Sequence, residues 1–275
     1  PQLPDPAMST ALIAGTGALP ALLAAARPGM LICEMEGVAA AVPGAEPLRF
    51  RVERLVPFLD ALVERGVTQV CFAGAMRRPR LEPELFDART AALVPRLIGA
   101  MQAGDDATLR AVIELFEEWG LGVVGADDIA PDLVPGPGVL TGAPGPADAE
   151  DAARAAAIVA ALGGVDVGQG AVVAQGLCLA VESLPGTDAM LDFAALHQGL
   201  KPDPTGARGV FYKAPKPDQD RRIDLPAIGP QTVARAAAAG LAGIVWQAGG
   251  VLLLDRAATQ AAAEAAGLFL WAREP

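Results

Sequence analysis

Short apolar runs alternate with helical patterns along the first half of the chain. Runs of strand length occur at residues 11–14, 30–34, 69–73 and 121–124. Helical patterns occur between them, at residues 19–26, 56–65 and 105–118. Strands that alternate with helices predict a parallel sheet with right-handed crossovers. We therefore expect an α/β fold that begins with a parallel-sheet domain over residues 8–135.

The second half has a different pattern. Residues 136–147 are rich in proline and glycine, which block regular structure and so predict a linker between two domains. Apolar runs at residues 170–174 and 177–182 flank Gln175-Gly176, which predicts a β-hairpin. Further elements are predicted as helices at 148–162, from Gly186 onward, at 230–239 and at 257–266, and as strands at 209–214 and around Gly249-Gly250. We expect a mixed α/β domain over residues 148–275.

Composition narrows the class of protein. The 275 residues include 21 Lys and Arg and 32 Asp and Glu, a net charge of −11. Because nucleic-acid binders draw their affinity from basic residues, nucleic acid is not an expected partner. The only histidine, His197, excludes sites that need several imidazoles. Cys33, Cys71 and Cys178 each lie in an apolar, strand-like run, and we expect buried, reduced thiols.

The sequence shows no pattern typical of a targeting signal or a membrane span. The chain does not begin with basic residues followed by a short apolar core. One long apolar stretch, residues 10–26, is interrupted by Gly15, Gly17 and Pro20, so it lacks the roughly 20 unbroken apolar residues that span a bilayer. We expect a cytoplasmic protein. A dimer is expected only because dimers are the commonest oligomers.

A glycine-rich turn follows the first predicted strand. Gly15 and Gly17 lie between this strand and the next helix, where the backbone can approach a phosphate and the helix N–H groups attract it. Glu34 ends the second strand, a position from which an acid can bind a ribose hydroxyl. Pro20 stands where the dinucleotide motif has its third glycine, so an ordinary tight turn explains these residues equally well.

Two pairs of charged residues in the first half of the chain have both a functional and a purely structural explanation. Arg77 and Arg78 follow the third strand. They are suited to holding a pyrophosphate, and a solvated basic pair is the alternative. Asp105 and Asp106 begin a helix, where helix capping explains them without any further function.

Charged and polar residues are concentrated in the second half. Those able to bind a ligand lie near the ends of predicted strands and helices or in a proline-stiffened loop at residues 213–226: Gln169, Glu182, Thr187, Asp188, Lys213, Lys216, Arg222 and Asp224. Carboxylates beside amines and guanidinium groups suit a hard cation together with an anionic substrate. A salt-bridged surface loop and simple helix caps are the alternatives.

Several of these segments together resemble the UDP-2,3-diacylglucosamine pyrophosphatases of lipid A biosynthesis, in the LpxI form that is not a metallophosphoesterase. The resemblance runs from about residue 10 to the end of the chain. Its more specific motifs are Asp166-Val-Gly-Gln-Gly170, Gly186-Thr-Asp-Ala-Met-Leu191, Lys213-Ala-Pro-Lys-Pro217 and Asp224-Leu-Pro226. It implies cleavage of UDP-2,3-diacylglucosamine to UMP and 2,3-diacylglucosamine 1-phosphate (lipid X). It also implies that residues 8–135 form a Rossmann-like, nucleotide (UDP)-binding domain. It further implies a divalent cation, substrate in a cleft between two domains, and a hydrophobic pocket for the acyl chains.

The resemblance places the essential aspartate of that family on Asp224. We expect Asp224 to ligate the cation or to orient the attacking water, with Asp188 and Glu182 as further metal ligands. A chain with one histidine must hold its metal through oxygen atoms, which favours Mg²⁺ or Mn²⁺ over Zn²⁺. Asp188 and Lys213 complete the predicted catalytic set.

The remaining predictions concern the substrate. We expect Lys213, Lys216 and Arg222 to grip the diphosphate. The residues predicted to bind other parts of the substrate, including the uridine nucleotide, are Gly15, Gly17, Glu34, Gln169 and Thr187. The acyl chains also predict transient contact with the surface of the inner membrane, although a charge of −11 disfavours docking on anionic lipid.

Two other functions stay open at this point. The glycine turn and Glu34 are compatible with an NAD(P)-dependent oxidoreductase. The second domain, rich in Ala and Leu, is compatible with a lipid-binding or carrier protein that encloses acyl chains without catalysis.

Overall fold

The computed structural model describes residues 9–76, 80–217 and 219–275. Arg77 and Arg78 therefore lie outside the described residues, as do the side chains of Asp105 and Asp106. Over the described ranges the chain divides into two compact units. The first contains the residues up to Pro131 together with Asp220–Asp224, and the second contains Asp132–Gln219 and Leu225–Pro275. No helix in the described ranges is long and apolar enough to cross a membrane.

The first unit is built on a parallel sheet. Its elements are β1 (Thr10–Ala14), α1 (Leu19–Ala26), β2 (Leu31–Met35), β3 (Leu48–Phe50), α2 (Leu55–Glu64), β4 (Gln69–Ala73), α3 (Ala88–Ala103), α4 (Asp105–Glu118), β5 (Gly122–Val124) and α5 (Ala126–Ile129). The strands pair in parallel in the order β3-β2-β1-β4-β5. Leu59 and Leu62 of α2 and Phe116 of α4 share a buried core with Ile13 of β1. The predicted Rossmann-like parallel sheet is confirmed.

Helix α3 is not predicted by the sequence pattern. It contains Pro95, and an internal proline normally removes a hydrogen bond and disfavours a helix. The helix nevertheless begins at a good cap, because the carboxylate of Asp87 accepts hydrogen bonds from the backbone N–H groups of Arg89 and Thr90 at 3.0 and 3.1 Å. This local cap stabilises the start of the helix and offsets part of the cost of the internal proline.

The second unit is built on a mixed sheet. Its elements are β6 (Gly138–Thr141), α6 (Pro146–Gly163), β7 (Gly170–Ala174), β8 (Leu177–Val181), α7 (Gly186–Leu196), β9 (Val210–Lys213), β10 (Ala227–Ile228), α8 (Pro230–Ala238), β11 (Gly243–Gln247), β12 (Leu252–Leu253), α9 (Arg256–Ala266) and β13 (Phe269–Arg273). The sheet has the order β6-β13-β11-β9-β7-β8, and β10 pairs with β12. Strands β9, β11 and β13 are parallel, whereas β6, β7 and β8 are antiparallel to their neighbours. The predicted mixed α/β domain is confirmed.

The predicted hairpin is present, but the predicted linker is not. Strands β7 and β8 are antiparallel, and Gln175 and Gly176 between them have φ values of 54° and 72°, as a tight hairpin turn requires. Residues 136–147, in contrast, contain β6, which pairs with β13 at the edge of the sheet. An edge strand tolerates nearby prolines and glycines because one side of it needs no hydrogen-bond donors.

The cysteines do not all behave as expected. Cys33 and Cys71 are buried in the first unit, and burial raises the pKa of both thiols to about 12. Cys178 is also a free thiol, but it is exposed. It lies on β8, which is an edge strand of the second sheet, so the prediction of a buried thiol is wrong there.

Candidate active site

Four segments of the second unit meet at one end of its sheet. Lys213 is the last residue of β9 and pairs with Gly170, the first residue of the antiparallel strand β7. The carbonyl of Gly170 accepts a hydrogen bond from the backbone N–H of Glu182 at 2.8 Å, which places Glu182 beside the same strand end. Thr187 lies in the first turn of α7. The topology therefore brings together residues that are far apart in sequence.

These side chains form a hydrogen-bonded group. Lys213 is only 5% exposed, and its ammonium donates to the hydroxyl of Thr187. That hydroxyl donates to Oε2 of Glu182 at 3.0 Å, and the ammonium Nζ lies 3.5 Å from the same oxygen. Since burying a charge is costly without an opposite charge, Glu182 is the group that balances Lys213.

Glycines make room for this group. A Cβ atom at Gly168 would lie 2.1 Å from the carbonyl oxygen of Glu182, and one at Gly170 would lie 2.8 Å from Oε2 of Glu182. The spacing of Asp166-Val-Gly-Gln-Gly170 thus reflects a close approach of the chain to Glu182.

A second set of contacts holds the loop that follows β9. Nε2 of Gln169 donates to Oε1 of Gln219 at 2.5 Å, and this oxygen also accepts from the backbone N–H of Lys216 at 3.1 Å. The ammonium of Lys216 pairs with Asp166. Gln219 was not singled out by sequence reasoning, because a glutamine in a charged loop carries no recognisable signal.

Asp188 takes part in a different contact. Its carboxylate lies 3.3 Å from Nε of Arg235 on α8, and the same guanidinium bonds to Asp192 at 2.5 Å. Asp188 therefore has a cationic protein partner, as Glu182 has in Lys213.

Asp224 and Arg222 lie in the first unit of the structure, although the sequence predicts them within the second domain. Arg222 bonds through Nη2 to Asp220 at 2.7 Å and through Nη1 to Glu117 of α4 at 2.8 Å. The hydrogen bonds with Asp220 raise the pKa of this guanidinium above its ordinary value, and those with Glu117 add to the rise although burial opposes it. Asp224 itself is exposed. Glu117 is a further contact that the sequence did not indicate.

The glycine turn of the first unit is paired with the loop that follows β4. Thr16 and Ala75 exchange backbone hydrogen bonds of 2.9 Å, which joins the loops after β1 and β4. A Cβ atom at Gly15 would lie 2.6 Å from the carbonyl oxygen of Ala75, whereas nothing lies within 4 Å of one at Gly17, whose φ is +102°. The close approach of Ala75 thus leaves no room for a side chain at Gly15, whereas Gly17 faces open space.

Glu34 is buried and also has protein partners. Its carboxylate accepts hydrogen bonds from the backbone N–H of Ala40 at 2.6 Å and from Nε of Arg49 at 3.4 Å. These bonds organise the loop between β2 and β3. The nucleotide-binding roles of Gly15, Gly17 and Glu34 stay predictions.

The predicted metal ligands Glu182, Asp188 and Asp224 have different surroundings in the structure. Among the described residues, no group of three or more His, Cys, Asp or Glu side chains is placed to hold a metal ion. Glu182 and Asp188 each have a cationic partner, so their environment does not favour a divalent cation. Asp224 has the donor type that Mg²⁺ prefers. The three-residue ligand set stays a prediction.

Comparison with known proteins decides the family. The model of the LpxI N-terminal domain matches residues 9–133, and the model of the LpxI C-terminal domain matches residues 136–271. The chain belongs to the LpxI family. The chain is 41% identical to a relative from Caulobacter vibrioides, which is named UDP-2,3-diacylglucosamine pyrophosphatase LpxI. The alignment is 280 residues long and covers 96% of this chain and 97% of the relative.

The boundary between the two LpxI domain matches lies close to the boundary between the two structural units. The matches change over between residues 133 and 136, close to the division between Pro131 and Asp132. The Lys213 group lies within the LpxI C-terminal match. Asp220–Asp224 also lies within that match, but in the structure it belongs to the first unit.

Proposed function

We propose that this protein is a hydrolase that cleaves the diphosphate of UDP-2,3-diacylglucosamine, giving UMP and 2,3-diacylglucosamine 1-phosphate in lipid A biosynthesis. The observation that carries the proposal is the 41% identity, over 96% of the chain, to a protein with the name of that activity. Family membership over both domains disfavours the oxidoreductase alternative, and the UMP assay below separates a hydrolase from a carrier.

We assign the chemistry as follows. Hydrolysis adds the oxygen of a water molecule to one phosphorus, while the bridging oxygen leaves with the other phosphate. Asp224 is exposed and orients the attacking water and accepts its proton. Contact of Lys213 with the phosphate oxygens stays a prediction, because its buried ammonium is already held by Thr187 and Glu182.

We propose Mg²⁺ or Mn²⁺ as the cofactor. Mg²⁺ in enzymes is often held by one or two carboxylates together with substrate phosphates, so Asp224 and the diphosphate are the proposed ligands. The cation would neutralise charge on the diphosphate. Treatment with EDTA should abolish the release of UMP, and Mg²⁺ or Mn²⁺ should restore it. Undiminished activity after complete removal of divalent ions would refute the cofactor.

The activity is tested by incubating the purified protein with the UDP-lipid and Mg²⁺ and measuring UMP by liquid chromatography. Asp224→Asn should lower kcat by about 100-fold or more, the range typical of a lost acid–base group. Asp132→Asn changes an exposed aspartate and serves as the matched control with unchanged kcat. Release of UMP by Asp224→Asn at the wild-type rate would remove Asp224 from the mechanism. Binding of the lipid without release of UMP would favour a carrier.

We also propose transient contact with a membrane surface. Leu184, Leu196 and Leu200 are 98, 82 and 71% exposed. Phe193 and Val181 line a nearby groove of about 500 Å³. Flotation with zwitterionic vesicles should recover part of the protein, and Leu184→Ser with Leu196→Ser should reduce that fraction. Val139→Ser alters another exposed apolar residue as the control; equal recovery of all variants would argue against contact through these leucines.

A further inference from the structure

Asp220–Asp224 is a short segment of the first unit within a stretch that otherwise belongs to the second. The chain leaves the second unit after Gln219 and returns to it at Leu225. Ile223 packs against the hydrophobic core of the first unit, the core that contains Phe116 of α4. The segment is therefore attached to the first unit by an apolar contact, and not only by charges.

Arg222 adds a set of directed contacts to this attachment. Its Nε and Nη2 bond to the two carboxylate oxygens of Asp220 at 3.0 and 2.7 Å. Its backbone N–H also donates to Asp220 at 3.0 Å. Its Nη1 bonds to Glu117 at 2.8 Å, and Glu117 lies on α4. The bidentate pair with Asp220 lies within the segment and gives the guanidinium a defined orientation. The ion pair of Nη1 with Glu117 then joins the oriented guanidinium to α4.

These contacts bear on the predicted role of Arg222. A guanidinium held by two carboxylates would have to give up those partners in order to grip a diphosphate. Asp224 follows Arg222 by two residues and is exposed. The side chain that the proposed mechanism needs is therefore carried by the segment that Arg222 ties down.

We propose that Arg222 is a positioning residue, which holds Asp220–Asp224 on α4 through Glu117 and thereby places the carboxylate of Asp224 for hydrolysis. This inference rests on the proposed function of Asp224. A misplacement of about 1 Å in a reacting group can cost about 100-fold in rate, so loss of the anchor should act on kcat and leave substrate affinity nearly unchanged.

The test compares Arg222→Gln, Glu117→Gln and the double variant in the UMP assay. Each single variant should lower kcat about 10-fold or more with KM within about twofold. The double variant should be little worse than either single variant, because both changes break the same contact. Glu118→Gln is the matched control: it is the next residue on α4, and its 2.6 Å ion pair is with Arg96 of α3 rather than with Arg222, so its kcat should be unchanged.

Hydrogen exchange measured by mass spectrometry gives a readout that does not need activity. Peptides covering residues 220–224 should exchange faster in Arg222→Gln and Glu117→Gln than in wild type or Glu118→Gln. A raised KM with normal kcat in Arg222→Gln, together with a silent Glu117→Gln, would overturn the inference and make Arg222 a substrate ligand. If wild type releases no UMP, the proposed function fails. If wild type is active and both variants turn over normally, only the positioning role fails.

Discussion

The carboxylate of Asp151 holds the turn of the β7–β8 hairpin against helix α6. Asp151 is 2% exposed, and its two oxygens accept hydrogen bonds from the backbone N–H groups of Gln175 at 3.0 Å and Gly176 at 2.7 Å. Both turn residues have positive φ, so their N–H groups point to one side of the turn. We predict that Asp151→Ala destabilises the second unit by leaving both donors without this acceptor.

The magnitude follows from the two bonds. A hydrogen bond to a charged group contributes about 1.5–3 kcal/mol net, so two such bonds contribute about 3–6 kcal/mol. Removing the carboxylate also removes the cost of burying it, which offsets part of this sum. We therefore expect Asp151→Ala to lower the free energy of unfolding by about 3 kcal/mol. Asp151→Asn keeps one acceptor oxygen and should cost about half as much.

Urea unfolding measures this difference. The tryptophan fluorescence should be made specific to the second unit by replacing Trp119 with Phe in all variants, because Trp246 and Trp271 lie in the second unit. Gly176→Ala serves as a control for the turn itself. Its φ is +72° and nothing lies within 4 Å of an added Cβ, so its cost of about 1–2 kcal/mol comes from the backbone alone.

The comparison has a clear negative outcome. If Asp151→Ala lowers the free energy of unfolding by less than Gly176→Ala does, water satisfies the two turn amides as well as Asp151. The argument from buried hydrogen bonds would then be wrong for this hairpin.

Three further predictions concern single positions. Cys178 should react with a thiol reagent in the folded protein while Cys33 and Cys71 stay unmodified until urea is added, as mass spectrometry will show; equal labelling of all three would contradict the burial described here. Gly15→Ala should destabilise the first unit by about 1–3 kcal/mol without nucleotide present, since its Cβ meets backbone; unchanged thermal unfolding would leave only a ligand-binding role. For Glu53, burial raises the pKa, but hydrogen bonds from backbone N–H groups and Arg51 outweigh it, so the pKa lies below its ordinary value of 4.5. A carboxyl group with a lowered pKa contributes stability that is present above pH 4.5 and is lost as the pH falls through the folded-state pKa. In Glu53→Gln the free energy of unfolding should therefore fall less steeply with decreasing pH in the acid range. An unchanged pH dependence of the free energy of unfolding would contradict this role of Glu53.

Much of the architecture was accessible from local patterns. Alternating strands and helices indicated the parallel sheet of the first unit, and Gln175-Gly176 indicated the hairpin of the second. In both cases neighbouring residues carry the signal, because side-chain periodicity and turn conformation depend on residues close in sequence. Motifs at strand ends also indicated the Lys213 group, since strand ends converge once a sheet forms.

Other features depended on partners distant in sequence. Strand β6 lies in a stretch rich in proline and glycine, and only its pairing with β13 makes it a strand. Asp224 was assigned to the second domain because its neighbours along the chain belong there. The segment that carries Asp224 contacts the first unit through Ile223 and through an ion pair of Arg222 with Glu117, residues separated by 105 positions. No local pattern marks such a pair, because a salt bridge needs only two ordinary charged residues that folding brings within 3 Å.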